Sequence, residues 1–562
     1  MASGDSILSQ FDAQLDQLLA GWNIYSTVIT LVLVALIAQF LFSRQDPDTH
    51  PLLLARQSSA SHVRQPGESA VYRSLEAPHS YPLRSGLGVK EPGAPKWTSG
   101  RDGDLRDIWK QALRGVHGQD GQLTGEKGKF LKVLGREGVV EHHFEELTRD
   151  INIIGQHLRQ QKGGRVAIYL PNSVEFLVAF FAAAFYGLTI ILIPQGQSRE
   201  ALADFLRETN ADILLAQAGT LSLDELMKSY SGLRHVIWVV EKSSRHMDWK
   251  EPSDYDHGRI TLATWHNLIE EQKGFASSDP PSNVPDFVLP NILAVWQRQT
   301  TASLPEMHEV VEFTQKNIIA AVAAQIFVLP RLQRLGPSDL FLPLDSLSLM
   351  YPLTLALAAL FSNASIALTS VAGPVATLSS AFQNVSPTVI VASAETLSQT
   401  HRDKPFAPKG AVQKIKQLFQ ARELASGTMP VSKGGMTHSL RLIYVSERVG
   451  ADSMPLNSRQ LFDLKLWTGA RIVYALTAAK VAGAVAQTNA CDYRRSAGDV
   501  YSHFGPPLSC LEVKLVGSRT REISDDGNPI GTIFVSGPAV IGGSATLDVE
   551  ATITDDNTLA YI

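Results

Sequence analysis

The sequence predicts an α/β protein of βαβ units that closes on a small β unit and is preceded by one transmembrane helix. Three observations predict this. Short blocks rich in Val, Ile and Leu alternate with blocks of helical period across short turns, the pattern of parallel strands joined by crossover helices. Near the C-terminus, EVKLVG and GTIFVSGP flank the turn DDGN, as in an antiparallel pair. Close to the N-terminus, IYSTVITLVLVALIAQFLF runs from Ile24 to Phe42 without a charge, about the length that spans a hydrocarbon core.

The 562 residues are enough for two to four domains. With 44% hydrophobic and 19% charged residues, the chain has the apolar content for an ample core. A net charge of -5 provides no basic field for nucleic acid, so a nucleic-acid partner is not expected. The two cysteines, Cys491 and Cys510, offer neither a disulfide framework nor zinc-ligand spacing.

In chain order, residues 1–20 place Leu8, Phe11, Leu15, Leu18 and Leu19 at helical spacing among aspartates, predicting a short amphipathic segment on the lumenal side. Residues 24–42 are the expected membrane span. Arg44, Arg56 and Arg64 follow it while only aspartates precede it, so the positive-inside rule places the main domain in the cytosol. The expectation is a single-pass protein of the endoplasmic reticulum with membrane lipid as a partner. Residues 43–104, rich in Pro, Ser and Arg and without a sustained period, read as a tether.

Residues 105–437 read as α/β subdomains. Phe144, Leu147, Ile151, Ile154 and Leu158 share one helical face, Gly163-Gly164 ends that helix, and RVAIYLP follows as a buried strand. Helix and strand then alternate through RHVIWVVE, and residues 248–288 read as a polar excursion. DLFLPLDSLSLMYPLTLALAALFSNASIALTS reads as strand, helix, strand, and PTVIVAS as another strand. Residues 438–562 contain SLRLIYVSE, a helix, RIVYALTA and the closing β unit.

The stretch Leu293–Asn317, LAVWQRQTTASLPEMHEVVEFTQKN, has the frame of a phosphate-binding loop: an apolar run, two threonines, a proline, then an amphipathic helix opening at Thr314. Such a loop uses glycines to bring backbone N–H groups onto the anion and a lysine for charge. Between Val295 and Val310 there is neither, and Glu306, His308 and Glu309 stand there instead.

RVAIYLPNSVEFLVAFFAAAFYG, LFLPLDSLS, LRLIYVSERVGADSMPLNSRQLFDLKLWTGARIVYALTAA, FGPPLSCLEVKLV and PIGTIFVSGPAVIGG, in this order, resemble the adenylate-forming (AMP-binding) family, in particular the long-chain acyl-CoA synthetases. The resemblance covers about residues 144–545 and implies an adenylate-forming-type N-terminal domain. It also implies a reaction in which a carboxylate and ATP, with magnesium, give an acyl-adenylate and then a coenzyme A thioester. Thr300, Thr301 and Pro305 match the family's phosphate loop, whose glycines and lysine are missing, and Arg298 is the candidate replacement cation. Tyr474, Leu476 and Thr477 match the nucleotide motif, but Ala478 stands where the family's magnesium-holding glutamate would be. Asp345 and Ser346 take the place of an Ala-His pair at the acyl pocket. The ribose-holding Thr-Gly-Asp is not found, with Asp555 and Asp556 nearby, and the family's C-terminal lid domain is expected to be absent.

The resemblance therefore implies a degenerate, catalytically inactive acyl-CoA synthetase homologue that binds lipid, a fatty acid, acyl-CoA or a protein partner, with no cofactor or metal assigned. Two alternatives stand beside it: a divergent ATP- and magnesium-dependent fatty acid-CoA ligase, and an anchored scaffold that binds no small molecule.

Overall fold

The computed structural model describes residues 20–42, 46–91, 93–95, 97–116, 126–133, 138–161, 163–240, 260–281, 287–298, 307–369, 377–379, 382, 384–403, 410–430, 439–450, 454–495, 501–517, 523 and 527–562. These form two units, Met1–Asp48 and Thr49–Ile562.

In the first unit, Asn23 starts the helix Ile24–Phe42 by accepting from the backbone N–H groups of Tyr25 (2.9 Å) and Ser26 (3.0 Å). Among the described residues no helix is long and apolar enough to cross a membrane. This overturns the expected transmembrane helix and, with it, the single-pass placement.

The second unit contains three sheets. The seven-stranded sheet runs Met307–Phe313, Ile292–Arg298, Thr189–Leu192, Arg165–Tyr169, Ile213–Gln217, His235–Val239, Thr261–Thr264. It is parallel except for the first pair. The eight-stranded sheet runs Ala484–Gln487, Arg471–Thr477, Leu442–Arg448, Val389–Ser393, Leu340–Pro343, Ser365–Thr369, Phe130–Val133, Val139–His142, with an antiparallel strand at each edge. The six-stranded sheet is antiparallel and includes the expected pair Glu512–Val516 and Ile530–Ser536.

The mixed α/β architecture follows from burial. Strands covered by helices on both faces read as continuous apolar runs, as Val166 to Tyr169 do, all under 4% exposed. The helix Val174–Tyr186 is capped by Ser173, ended by Gly187 at φ 75°, and buried around nearly its whole circumference. The helix Phe144–Gln160 packs on it so closely that Gly155 faces the Tyr186 ring, where a Cβ would come within 2.1 Å of the ring. Trp109 anchors this region. Its indole N–H donates to Thr148 Oγ1 (3.0 Å), and the rings of Phe130, Phe144 and Phe181 surround it.

Part of the stretch read as a tether is built into the fold. Ser58–Ala60 and Tyr72–Ser74 extend the six-stranded sheet, and Arg73 pairs with Glu512 at 2.7 Å. The polar excursion includes a strand, Thr261–Thr264, and a helix, Trp265–Gln272.

Candidate functional site

The stretch with the phosphate-loop frame is a β-hairpin. Ile292–Arg298 pairs antiparallel with Met307–Phe313, in register from Ile292 opposite Phe313 to Arg298 opposite Met307. His308 and Glu309 are strand residues: His308 pairs with Glu208 (3.3 Å) and its ring meets Phe205, and Glu309 faces Lys480 (3.8 Å). Thr300, Thr301 and Pro305 lie outside the described residues, as does the Arg298 side chain. The helix Gln315–Val328 then opens at Thr314 through a capping box with Asn317. It is buried from Ile318 to Gln325 rather than amphipathic.

A cleft lies at the carboxyl ends of the parallel strands Leu340–Pro343, Leu442–Arg448 and Arg471–Thr477, the position at which open α/β sheets take ligands. Its walls include Trp296 from the hairpin, Leu349 and Tyr351 from the turn and helix after Pro343, and Arg448, Thr477, Ala478 and Gly483. Gly483 has φ 126°, which only glycine adopts readily, and a Cβ there would sit 3.1 Å from Ala321 Cβ. The cleft encloses about 270 Å³ including its open mouth, but its interior has only about 10 Å³ of room, about one water.

Of the predicted residues with described side chains, Thr477 lines the cleft, while Asp345, Ser346, Tyr474 and Leu476 lie on the turn and strand beside it. Asp345 and Ser346 form the turn that leads toward the helix Met350–Phe361. Asn172 clamps that turn: its amide donates to the carbonyls of Pro343 (3.2 Å) and Asp345 (2.8 Å), and its Oδ1 accepts from Leu347 N–H (2.8 Å). Asp345 Oδ1 accepts from Ser346 N–H (2.9 Å) and Oδ2 from Ser446 Oγ (3.1 Å). Burial raises the Asp345 pKa against these stabilising contacts.

Tyr474, Leu476 and Thr477 lie on one strand, but only Thr477 lines the cleft. Its hydroxyl donates to the Glu447 carbonyl (2.9 Å). Tyr474 is fully buried; its hydroxyl donates to Glu447 Oε2 (2.7 Å) and accepts from Leu456 N–H (3.0 Å), and its ring packs on Phe504. Burial pushes the Glu447 carboxyl up to about 7.

Glu447 and Arg448 were not among the candidates read from sequence. The signal was present: two charged residues close an otherwise apolar strand at the carboxyl edge of the sheet. Arg448 lies over the Trp296 ring (4.6 Å to the centroid), and its Nη2 donates to the Gln297 carbonyl (2.8 Å). Asp556, close to where a ribose aspartate was sought, is committed to a hairpin and an ion-pair network. It accepts from Thr554 and Thr558, and Arg494 Nη2 bridges it to Asp492, each at 2.6 Å.

Among the described residues that line the cleft none carries a carboxylate, and Ala478, at the expected magnesium position, has no oxygen in its side chain.

A family model described as AMP-binding enzyme matches residues 132–283. An uncharacterised protein of Saccharomyces cerevisiae is 33% identical over 127 residues, covering 22% of this chain and 21% of its own. The acetyl-coenzyme A synthetase of Escherichia coli K12 is 28% identical over 143 residues, covering 23% and 21%. The matched stretches thus span about a fifth of these relatives' length.

Solved structures share the fold over most of the chain. An anthranilate CoA ligase has a TM-score of 0.56 at 14% identity, covering 84% of this chain and 79% of its own. A long-chain-fatty-acid-CoA ligase from Archaeoglobus fulgidus has a TM-score of 0.54 at 13% identity, covering 85% and 86%. The chain therefore has the fold of the acyl-CoA-forming ligases. Its sequence is similar to the AMP-binding enzyme model over residues 132–283.

Proposed function

We propose that this chain is a catalytically inactive relative of the acyl-CoA-forming ligases, which keeps their scaffold and acts as a binding module for an acyl ligand or a protein partner. One observation carries the reading: none of the described residues that line the cleft at the strand ends carries a carboxylate, and Ala478 stands in its wall where a metal-holding glutamate is expected. The sequence of the hairpin connection adds to it, because residues 299–306 contain no glycine and no lysine. Loss of one preorganised charge-stabilising group costs on the order of 10²–10³ in rate, and these losses act on one transition state.

A divergent ATP-dependent fatty acid-CoA ligase is the second reading. It is favoured by the fold shared with ligases over 84% of the chain and by Arg448, a cation in the cleft wall. Mixing the full chain with ATP, magnesium, coenzyme A and short- and long-chain fatty acids, and following pyrophosphate release, separates the two. The binding-module reading expects no release above the protein-free control. Sustained turnover that depends on the fatty acid would establish the enzyme.

A further inference from the structure

The helix Ala411–Ala425 sits with its amphipathicity largely inverted. Toward the body it turns Gln417, Gln420 and Ala421, all half-buried, and Leu424, fully buried with Cys491 and Tyr493. There it lies against the helix Ser458–Thr468. Toward solvent it turns Ile415 (57% exposed), Leu418 (71%) and Phe419 (50%), which share one face because positions three and four apart stack on a helix. Lys414 and Lys416, each about 100° of turn from Ile415, border this stripe on its two sides, and Arg422 continues it; all three are exposed. A surface helix ordinarily does the reverse, burying its apolar stripe and exposing its polar face. Charge is concentrated here as well. Residues 404–433 hold Lys404, Lys409, Lys414, Lys416, Arg422 and Lys433 against Glu423 alone, in a chain whose net charge is -5. A second copy of the chain would bring the same cations face to face, which opposes self-association through this surface. Apolar side chains flanked by lysines, whose long stems lift their ammonium groups to lipid phosphates, are the composition of an interfacial helix. A lysine is a point charge without a directional fork, suited to a fluid anionic surface more than to fixed carboxylates on a protein.

We propose that the helix Ala411–Ala425 is a peripheral docking surface for an anionic lipid bilayer, with Ile415, Leu418 and Phe419 at the headgroup boundary and Lys414, Lys416 and Arg422 on the lipid phosphates. The contact needs no helix that crosses the membrane. None of the described residues that line the cleft belongs to this helix, so the surface holds for an inactive protein and for an enzyme alike.

The probes are vesicles of phosphatidylcholine alone and of phosphatidylcholine mixed with phosphatidylserine. Cosedimentation of the full chain gives its partition onto each. A dye that brightens in apolar surroundings, attached to Leu418→Cys, reports on the helix itself; Cys491 and Cys510 are buried and stay unlabelled. The surface predicts binding to the mixed vesicles at least about tenfold tighter than to the neutral ones, weakened by added salt, with the dye brightening on contact. Lys414→Gln combined with Lys416→Gln should weaken binding to the mixed vesicles by about tenfold or more. Phe419→Gln should weaken it severalfold by removing an inserted ring. All these positions are exposed, so the variants are expected to keep the native thermal midpoint and the comparison is between folded proteins. Equal binding to the two kinds of vesicle, or binding that the paired lysine replacements leave unchanged, would overturn the proposal. So would a dye that stays dark, since vesicle binding through any other part of the chain leaves it dark; an acidic protein groove would then be the occupant.

Discussion

Replacing Glu447 by glutamine should stabilise the protein in alkaline solution and leave it nearly unchanged in acid. Glu447 is 2% exposed, and its described hydrogen bond is the one from Tyr474. Burial carries the carboxyl from an ordinary value of 4.5 to about 7. The folded state therefore keeps a proton that the unfolded chain releases above pH 4.5, and stability falls as pH rises through that window. At 1.36 kcal/mol per pKa unit, the full penalty is about 3 kcal/mol, complete above pH 7. The substituted amide does not titrate, and its carbonyl can still accept from Tyr474. Urea unfolding of the native and Glu447→Gln proteins, at pH 5 and pH 8, gives the difference directly. The variant should gain on the native protein by about 2–3 kcal/mol between the two pH values. A difference that stays constant with pH, or that turns against the variant at pH 8, would refute the account of this carboxyl.

Two further substitutions test the packing that positions the cleft. Glycine to alanine inside a helix ordinarily stabilises by about 0.5–1 kcal/mol. Gly155→Ala should instead lower the thermal midpoint, at a cost of about 1–3 kcal/mol, because the new Cβ enters the Tyr186 ring. Arg441 pairs with Asp339 through Nε and Nη2, both at 2.7 Å, and the Asp339 side chain is 4% exposed. Arg441→Met should cost about 3–5 kcal/mol in urea unfolding by leaving that carboxylate buried and unpaired, whereas Arg441→Met combined with Asp339→Asn should recover part of the loss.

What the sequence made legible was local. The βαβ alternation from residue 144 to 240 and the strand–helix–strand after Asp339 appear where their apolar runs and caps place them, because period and capping are properties of neighbouring residues. Pairings between distant segments were not legible. Ser58–Ala60 and Tyr72–Ser74 have no distinct period of their own; the edge they join belongs to Glu512–Val516, far along the chain. Met307–Phe313 was missed because His308, Glu309 and Glu312 mask its apolar face, and its strand identity comes from the register with Ile292–Arg298. The helix after Thr314 is expected to be amphipathic, but IIAAVAA is apolar on every side, the pattern of a buried helix.

The candidate site shows the same division. Asp345 and Thr477 are candidates from family resemblance; Thr477 lines the cleft, and Asp345 accepts from Ser446, which also lines it. Glu447 and Arg448 gain their character from desolvation, from Tyr474 and from Trp296, which only the folded chain brings together. The expected membrane span does not hold: among the described residues no helix is long and apolar enough to cross a membrane.

Calorimetric titration of the full chain with ATP, in the presence and absence of magnesium, tests most directly whether this scaffold has given up nucleotide chemistry. Ala478 at the expected metal position, and a stretch from 299 to 306 without glycine or lysine, predict no saturable heat at millimolar ATP under either condition. Saturable binding that tightens when magnesium is added would contradict it.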